Sequence, residues 1–384
     1  MARIPILMFC VFSITTGEFV VAGLLPDVAS GVGTTVGAAG QLVTAYAVGM
    51  IVGGPLVTAA TARLPRKPLM VGLLLVAAAA NTAAVLAPTL ELLLATRTAA
   101  GLTTATFFAH AIVVAVRSAP PDRAGTAVAR LAFGMNLAMI VGAPLGTAVA
   151  DLWEWRAAFA AVATGCAVGA VLVVTSAVPD DDVRQSARGE LRELVRPQVL
   201  LALAVTAVGN AGVLMVFSYL APLMSSVAGH GDAALPALIL GYGVGATLGG
   251  LAGGALFDRF PRAAVPALLG ALAVVLAAAW SLATAPLPAA VVVVALGALG
   301  FAVVPGMQAR VLAAATGAPT LAVAVNASGY QLAAAAAGVI GGVVVDSAAG
   351  PRTIYLVAAG LTVGGLVLGA IRVRQRLSAT GPGR

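Results

Sequence analysis

Charged residues are scarce in this chain. Only 9% of its 384 residues are Asp, Glu, Lys or Arg, whereas 61% are hydrophobic and the mean hydropathy is +1.05. Soluble domains carry about 25% charged residues, so the composition excludes an ordinary soluble protein. The net charge of +7 comes from a few residues whose placement, described below, indicates membrane topology rather than nucleic-acid binding. The composition therefore predicts a polytopic membrane protein.

The residues on which many enzymes and ATPases depend are also few. The two cysteines, Cys10 and Cys166, both lie in apolar runs, which excludes a disulfide framework and a cysteine metal site. Lys67 is the sole lysine, and no P-loop glycine pattern precedes it, which excludes a P-loop ATPase. The sequence has no Gly-x-Ser-x-Gly elbow, no in-span pair of aspartates and no metal-ligand spacing of His, Cys and Glu. We therefore expect neither an intramembrane enzyme nor a bound cofactor or metal.

Long apolar runs are what the sequence has instead. A helix that crosses a bilayer needs about 20 apolar residues, and twelve runs approach or exceed that length. They cover approximately residues 4–25, 36–60, 68–87, 90–115, 125–149, 156–177, 198–222, 234–256, 263–284, 287–309, 319–345 and 353–371. The first run superficially resembles a signal peptide, but Glu18 within it and the spans downstream predict an uncleaved first helix.

The basic residues predict the orientation of these spans. Cytoplasmic loops carry an excess of Lys and Arg. If the N-terminus is cytoplasmic, all but three of the 21 Lys and Arg residues lie on that side. Arg156 and Arg352 lie outside, and Arg97 lies within a span. The asymmetry predicts that both termini are cytoplasmic in a multi-pass protein of the cell membrane.

A polar segment divides the twelve spans into two groups of six. Residues 180–196 have apolar positions at helical spacing and are predicted to form, in part, an amphipathic helix on the membrane surface. A constant offset of 196 then relates pairs of less common residues, among them Pro26 and Pro222, Tyr46 and Tyr242, Gly101 and Gly297, Gly142 and Gly338, and Arg156 and Arg352. The sequence thus predicts two pseudo-symmetric six-helix bundles: residues 1–178, a linker at 179–197, and residues 198–384 with a short basic cytoplasmic tail. Parallel repeats of this kind place a substrate site near the membrane midplane and work by alternating access.

Stripes of small residues occur on four spans. Small residues four apart let helix backbones approach closely in lipid. The stripes are Gly134, Ala138, Gly142 and Gly146; Gly241, Gly245, Gly249 and Gly253; Ala45, Gly49 and Gly53; and Ala334, Gly338 and Gly342. Packing within one half is one explanation. Their repeat-related positions favour the other, in which they form the moving interface between the halves.

Two charged residues lie deep inside spans. Glu18 precedes Leu25 by seven residues, about 10 Å at helical rise, and so is too deep to reach water. Arg97 is the one basic residue within a span and lies at the same depth measured from Leu90. A charge at membrane depth costs at least roughly 2.5–3.5 kcal/mol, and such groups commonly mark ion or substrate paths. We expect Glu18 and Arg97 to lie close together and to couple protons, with a static structural ion pair as the alternative. Asp27 is the nearest remaining carboxylate and a further candidate.

Other polar residues within the spans are candidates for the substrate cavity, although interhelical hydrogen bonds or simple packing explain them equally well. They are Asn136, Asn210, Tyr219, Gln308, Asn326, Tyr330 and Gln331. His110 lies about 140° around the fourth helix from Arg97, so the two are not expected to face one cavity. We predict that His110 is a packed, neutral histidine.

Two loops resemble a motif of the major facilitator superfamily. Gly254-Ala-Leu-Phe-Asp258-Arg259-Phe-Pro-Arg262 is similar to that family's cytoplasmic loop pattern, G-x-L-x-D-R-x-G-R, in its second-half copy. The first-half copy keeps basic residues at Arg63, Arg66 and Lys67 but has Ala62 where Asp is expected and Pro65 where Gly is expected. The resemblance implies that these basic residues and Asp258 act as a cytoplasmic gate. Since basic residues near helix ends bond carbonyls or carboxylates, a latch is chemically reasonable, and positive-inside topology alone is the alternative.

Two further motifs resemble those of the same family. Arg97-Thr-Ala-Ala-Gly101 is similar to its R-x-x-x-G motif, whose arginine is associated with proton transfer. Gly134 to Thr147, which includes Gly142, Pro144 and Gly146, resembles the antiporter motif that marks exporters, with Gly-Ala-Pro-Leu-Gly-Thr in place of the standard Gly-Pro and Gly-Gly pairs. With Thr16-Gly-Glu18-Phe, these segments resemble the drug:proton antiporter branch, in particular arabinose-efflux and chloramphenicol-resistance-like permeases. Pro144 also predicts a bend in the fifth helix.

The resemblance implies a secondary active transporter of this fold. We expect proton-coupled efflux of small, moderately hydrophobic compounds such as drugs, antibiotics or sugars, by a chain that functions as a monomer in membrane lipid and binds no nucleic acid. A proton-coupled importer of a sugar or small metabolite shares the fold and is the alternative. A membrane scaffold without transport activity is a weaker one.

Overall fold

The computed structural model describes residues 3–176, 192–231, 234–345, 347–348 and 350–379. We number the long helices α1 to α12. They are α1 (Arg3–Val32), α2 (Val36–Ala60), α3 (Arg66–Val85), α4 (Leu90–Arg117), α5 (Ala124–Leu137, Ala138–Gly142 and Ala143–Leu152), α6 (Trp155–Thr175), α7 (Pro197–Ser218), α8 (Leu235–Arg259), α9 (Ala264–Leu282), α10 (Pro286–Ala314), α11 (Pro319–Val345) and α12 (Ile354–Ala379). The described residues contain no β-strand.

Each of these twelve helices is long and apolar enough to cross a membrane, counted over the described residues. The predicted all-α fold with twelve membrane-spanning helices is therefore confirmed. Thr35 and Thr89 cap α2 and α4 by accepting hydrogen bonds from the backbone N–H groups of Ala38 and Leu92. Most of the predicted linker, residues 179–191, lies outside the described residues, so its amphipathic helix stays a prediction.

Two helices depart from regular α geometry. In α5, the five residues Ala138–Gly142 form a π-helical segment directly before the turn that contains Pro144. After α7, the short helix Leu220–Pro222 leads into a second π-helical segment at Leu223–Val227. Single π turns are often found at functional sites. The sequence predicted a bend at Pro144, and the structure has a π segment on the N-terminal side of this residue.

The chain divides into two compact units by its internal contacts. The first contains α1–α6 together with residues 315–328, which include the beginning of α11. In this unit Ser328 donates a hydrogen bond to the Met50 carbonyl, 3.0 Å away. The second contains α7–α10, α12 and the rest of α11. The sequence did not predict the placement of residues 315–328, and the exact six-and-six division stays a prediction.

The predicted repeat recurs as equivalent contacts in the two units. A Cβ added at Gly101 in α4 would collide with the carbonyl of Tyr46 in α2, and a Cβ at Gly297 in α10 would collide with the carbonyl of Tyr242 in α8. Glycine is needed at both positions because the two backbones touch there. The pairs are separated by the offset of 196 that relates the two halves of the sequence.

Two arginines near the predicted outer ends of the helices also play equivalent parts. Arg156 donates to the carbonyls of Val85 and Ala87 at the end of α3, at 3.1 and 3.3 Å. Arg352 donates to the carbonyl of Trp280 near the end of α9. Each guanidinium also lies over an indole ring, at 4.3 Å for Arg156 and 4.2 Å for Arg352. The last carbonyls of a helix have no hydrogen-bond partner within it. Each arginine therefore supplies donors to carbonyls at or near the end of a helix.

Most glycines of the small-residue stripes contact helices of their own half, which supports packing within one half as the explanation for the stripes. Added Cβ atoms at Gly49 and Gly53 would strike α4, those at Gly245, Gly249 and Gly253 would strike α10, and those at Gly134, Gly142 and Gly146 would strike α1. In the α11 stripe, the Gly338 carbonyl accepts a hydrogen bond from the hydroxyl of Tyr219, the residue that follows α7. In every case the partner belongs to the same half of the sequence. The reason is close backbone packing of neighbouring helices, which small residues permit.

Candidate functional site

Arg97 is buried in α4, with 1% of its surface exposed. Its Cζ atom lies 4.5 Å from the ring centroid of Tyr46 in α2 and 5.9 Å from that of Phe159 in α6. Within the described part of the chain, none of its three guanidinium nitrogens has a hydrogen-bond partner. Arg97 is therefore held by aromatic ring faces, which attract cations most strongly where water is excluded.

Glu18 lies within electrostatic range of this group. It is half-buried in α1, and its charge acts on both Arg97 and Tyr46. The structure therefore brings together the two intramembrane charges that the sequence analysis singled out. Asp27, the third predicted proton-coupling residue, is exposed nine residues further along α1. Its part in coupling stays a prediction.

The helix that carries Glu18 is packed tightly against α5. A Cβ at Gly142 would collide with the Thr16 side chain, two residues before Glu18, and a Cβ at Gly146 would collide with Val20, two residues after it. On another side of α1, a Cβ at Gly17 would lie 3.0 Å from a methyl group of Val162 in α6. The antiporter-like motif of α5, including its π segment, therefore fixes the position of the α1 turn that carries Glu18.

The equivalent positions of the second unit lack these charges. With the offset of 196, Leu214 corresponds to Glu18 and Val293 corresponds to Arg97. Tyr242 corresponds to Tyr46, but its ring packs against Phe217, with 4.7 Å between the centroids. Val293 and Tyr242 belong to one apolar core. The charged site is thus a feature of the first unit alone.

The basic residues of the loop motifs occupy helix ends. Lys67 donates to the carbonyl of Ser176, 2.8 Å away at the end of α6. Arg66 is buried at the start of α3, and its charge acts on His110, which is itself buried in α4. Arg63 is exposed. The predicted binding of helix-end carbonyls by the loop residues is observed for Lys67.

The second-half loop is organised differently. Asp258 is half-buried, Arg259 lies 5.5 Å from the ring of Phe260, and Arg262 is exposed. Arg310 in α10 donates to the carbonyls of Pro261 and Arg262, at 3.2 and 3.0 Å. Arg310 was not among the predicted site residues, because its position in the sequence indicates only membrane topology. Its contacts anchor the loop that follows Asp258 to α10.

The polar candidates for the substrate cavity have diverse surroundings. Asn210 donates to the Thr206 carbonyl at 2.9 Å and to the Met307 sulfur at 3.1 Å, as interhelical packing predicts. The Tyr219 hydroxyl donates a hydrogen bond to the Gly338 carbonyl of α11. Asn136, Gln308 and Asn326 are buried, while Tyr330 and Gln331 are half-buried and make interactions of their own. The side-chain oxygens of Gln308 and Asn326 have no hydrogen-bond partner among the described residues.

Sequence reasoning missed the aromatic residues of the site. Tyr46 was noted only as a repeat match and Phe159 not at all. The one signal in the sequence is that both positions are aromatic in both halves, as Tyr46 and Tyr242 and as Phe159 and Tyr355. The described residues contain no group of three or more His, Cys, Asp or Glu side chains that could hold a metal ion.

Twelve apolar helices, an internal repeat and a buried charged site define a multi-pass membrane protein of the transporter class. Comparison with known proteins gives the family. The family model described as the Major Facilitator Superfamily matches residues 7–320, and the chain belongs to that family. It is accordingly a transporter and not an enzyme.

Two relatives resemble the chain over nearly its full length. A chloramphenicol resistance protein from Streptomyces lividans is 35% identical over 98% of this chain and 97% of its own. The inner membrane transport protein YdhP of Escherichia coli (strain K12) is 33% identical over 93% of this chain and 92% of its own. Among solved structures, a variant of the E. coli fucose:proton symporter FucP matches with a TM-score of 0.76 at 16% identity, over 96% of this chain and 98% of that protein. The last comparison supports the fold alone.

Proposed function

We propose that the protein is a proton-coupled exporter of small, moderately hydrophobic compounds. The observation that carries the proposal is the pair of opposite charges, Glu18 and Arg97, within electrostatic range of each other inside a membrane-spanning bundle. Holding charges at membrane depth costs free energy, and the second unit shows that the same framework packs well with Leu214 and Val293 instead. A purely structural role gives no reason to keep the charges.

Arg97 and Glu18 would serve as the coupling pair. Ionised Glu18 is stabilised by the nearby guanidinium, and a proton that binds Glu18 removes that attraction. Access to Glu18 from one side of the membrane and then from the other would turn this change into net proton movement. In this cycle Arg97 stays charged and Glu18 carries the proton.

Efflux is favoured over uptake by two observations. The relative that shares 35% identity is named as a chloramphenicol resistance protein, and resistance by a transporter requires export. The antiporter-like segment of α5 also packs directly on the helix of Glu18. We therefore propose antiport, in which inward proton movement drives outward movement of the compound, with chloramphenicol as the first compound to test.

The wider architecture follows from the family and the charge asymmetry. We propose that residues 1–178 and 198–384 form the two bundles, joined by a cytoplasmic linker at 179–197, in a monomer of the cell membrane with both termini cytoplasmic. Positive-inside topology supports this orientation. The loop residues Arg63, Arg66, Lys67, Asp258, Arg259 and Arg262 would form the cytoplasmic gate. The buried polar side chains Asn136, Gln308 and Asn326, with Tyr330 and Gln331, stay candidates for the cavity.

Transport into proteoliposomes tests the proposal. With an imposed pH gradient, acid inside, the wild type should accumulate radiolabelled chloramphenicol, or another member of a panel of antibiotics and sugars, inside the vesicles. Glu18→Gln should abolish accumulation but preserve the exchange of labelled for unlabelled compound when its concentration is equal on both sides of the membrane. Glu91→Gln is the matched control, because Glu91 is an exposed carboxylate at the start of α4.

Three results would count against the proposal. Accumulation by Glu18→Gln at the wild-type level would show that Glu18 is structural. Accumulation that requires the opposite pH gradient would identify an importer. Absence of flux for the whole panel, at normal protein incorporation, would favour a membrane scaffold.

A further inference from the structure

The guanidinium of Arg97 lies over the rings of two residues, Tyr46 of α2 and Phe159 of α6, which we call the aromatic seat. Tyr46 is 2% exposed and Phe159 is fully buried. The nearer ring centroid is 4.5 Å from Cζ, well within the distance of about 6 Å over which a cation is attracted by a ring face. Since the guanidinium nitrogens find no hydrogen-bond acceptor among the described residues, ring faces are its nearest identified partners.

Both rings are fixed by their surroundings. The Tyr46 hydroxyl shares a 2.8 Å hydrogen bond with the Thr104 hydroxyl of α4, and Thr104 also donates to the Ala100 carbonyl at 3.0 Å. Phe159 packs edge-on against Trp155, with 5.9 Å between the centroids and an 87° angle between the planes. The aromatic seat is therefore rigid, and the side chain that rests on it has little freedom to move away.

The second unit contains the same aromatic framework without a cation. Tyr242 and Tyr355 occupy the positions equivalent to Tyr46 and Phe159, and Val293 replaces Arg97. These three residues are buried in one apolar core. The hydrogen bond to Thr104 is also missing there, because the equivalent residue is Gly300. Both aromatic residues are thus buried in an apolar core without an arginine, so holding a cation is an additional property of the first-half copy.

We propose that Tyr46, assisted by Phe159, is a positioning residue that keeps Arg97 in place when Glu18 loses its charge. The inference rests on the proposed function, in which Glu18 cycles between charged and neutral forms. In the charged form, the guanidinium interacts with both the carboxylate and the rings. In the neutral form the attraction between opposite charges is lost, while the ring faces still attract the cation and keep Arg97 ready for the next cycle.

The charge balance gives the direction of the effect. Glu18 is the carboxylate within electrostatic range of Arg97, and the other ionisable groups nearby, Tyr46 and the Cys166 thiol, carry no charge at neutral pH. If the rings attract Arg97 less, the guanidinium interacts more with the remaining charge partner, Glu18. Ionised Glu18 is then held more strongly, so a more acidic solution is needed to protonate it.

The test reads the protonation of Glu18 directly and needs no substrate. Infrared difference spectra of the full-length protein in lipid are recorded over a pH series, and the carboxylic acid band that Glu18→Gln removes is followed. Position 46 is occupied in turn by Phe and by phenylalanines that carry one, two and three fluorine atoms. Fluorination weakens the attraction of the ring for a cation with little change in its shape, which avoids a failure to fold. The same series at Tyr242, whose ring packs on Phe217 within an apolar core, is the matched control.

We expect the midpoint of the band to move to lower pH in steps with fluorination at position 46, by roughly 0.5–1 pH unit over the series. The series at position 242 should leave it unchanged. A midpoint that is equal across the position 46 series, or that moves equally in both series, would overturn the inference while leaving the proposed function intact. If Glu18→Gln removes no titrating band, Glu18 does not cycle, and the proposed function fails together with the inference.

Discussion

The side chain of Thr16 in α1 occupies the space that a methyl group on Gly142 of α5 would fill. This contact links the antiporter-like motif to the proton-coupling candidate, because Thr16 lies two residues before Glu18 in the same helix and its hydroxyl donates to the Phe12 carbonyl at 2.8 Å. Gly142 also ends the π-helical segment of α5. A glycine at this position therefore sets how closely α5 approaches the turn that carries Glu18.

Gly142→Ala should impair transport because the new methyl group forces α1 and α5 apart. Overpacking of this kind costs about 1–3 kcal/mol of folding stability, and it would displace Glu18 relative to Arg97. The measurements are the thermal unfolding midpoint in detergent and proton-driven accumulation at equal protein incorporation. Gly72→Ala in α3 is the matched control, since no atom lies within 4 Å of its added Cβ. Equal transport by the two variants would show that the contact between the α5 motif and α1 is not needed for proton coupling.

Asp258→Asn should impair transport more than any substitution of Ala62 by another small residue. The first-half loop has no carboxylate at the equivalent position, so a charge-dependent latch would depend on the second-half loop. The loop after Asp258 is anchored by Arg310 through the carbonyls of Pro261 and Arg262. The rate of substrate exchange is compared for Asp258→Asn, Ala62→Ser and the wild type at equal membrane expression. If Asp258→Asn exchanges substrate at the wild-type rate, the charge of Asp258 does not form a cytoplasmic latch.

Cysteines introduced at Gln185 and Gly231 should react from opposite sides of the membrane. With twelve spans and the cytoplasmic N-terminus that the charge asymmetry predicts, position 185 would lie in a cytoplasmic linker, and Gly231, shortly before α8, would lie in an outer loop. The two native cysteines are buried and give a low background. Labelling with a membrane-impermeant maleimide in whole cells and in everted vesicles checks the prediction. If both positions react in whole cells, the orientation or the number of spans is wrong.

Arg156→Gln and Arg352→Gln should lower thermal stability by similar amounts. Each removes donors from carbonyls at a helix end and a guanidinium from an indole ring, so a loss of about 1–3 kcal/mol is expected for each. Transport per folded molecule should be unchanged, because both residues lie outside the charged site. Unfolding midpoints and accumulation are measured for both variants. A large loss for one alone would contradict the functional equivalence of the two copies.

Much of the fold could be predicted from the sequence because a bilayer imposes simple rules. Twelve apolar runs, one polar linker and a constant offset were sufficient for the helix count and the repeat, and Arg156 and Arg352 show that the repeat extends to individual contacts. The partners of the small-residue stripes were not predictable in the same way. A stripe indicates that some helix approaches closely but does not identify which one.

The site was predicted in part. Charge in an apolar run was enough to select Glu18 and Arg97, since each charge stands out against its neighbours. The aromatic seat was not found, because Tyr46, Phe159 and Arg97 lie on three helices and meet only through tertiary packing. The π segment of α5 was not predicted either, because the motif around Pro144 indicated only a bend in the helix.

The most direct test of the central claim is proton movement driven by substrate alone. Proteoliposomes are loaded with a compound that the wild type transports and diluted into compound-free medium without a pH gradient, and internal pH is followed with a trapped dye. One proton moving through a 100 mV potential provides about 2.3 kcal/mol, enough for a concentration ratio of about fifty. In antiport, protons enter the vesicle in exchange for the compound that leaves. Outward movement of the compound should therefore acidify the vesicle interior in the wild type and in Glu91→Gln, but not in Glu18→Gln. Acidification by Glu18→Gln at the wild-type rate would contradict the account.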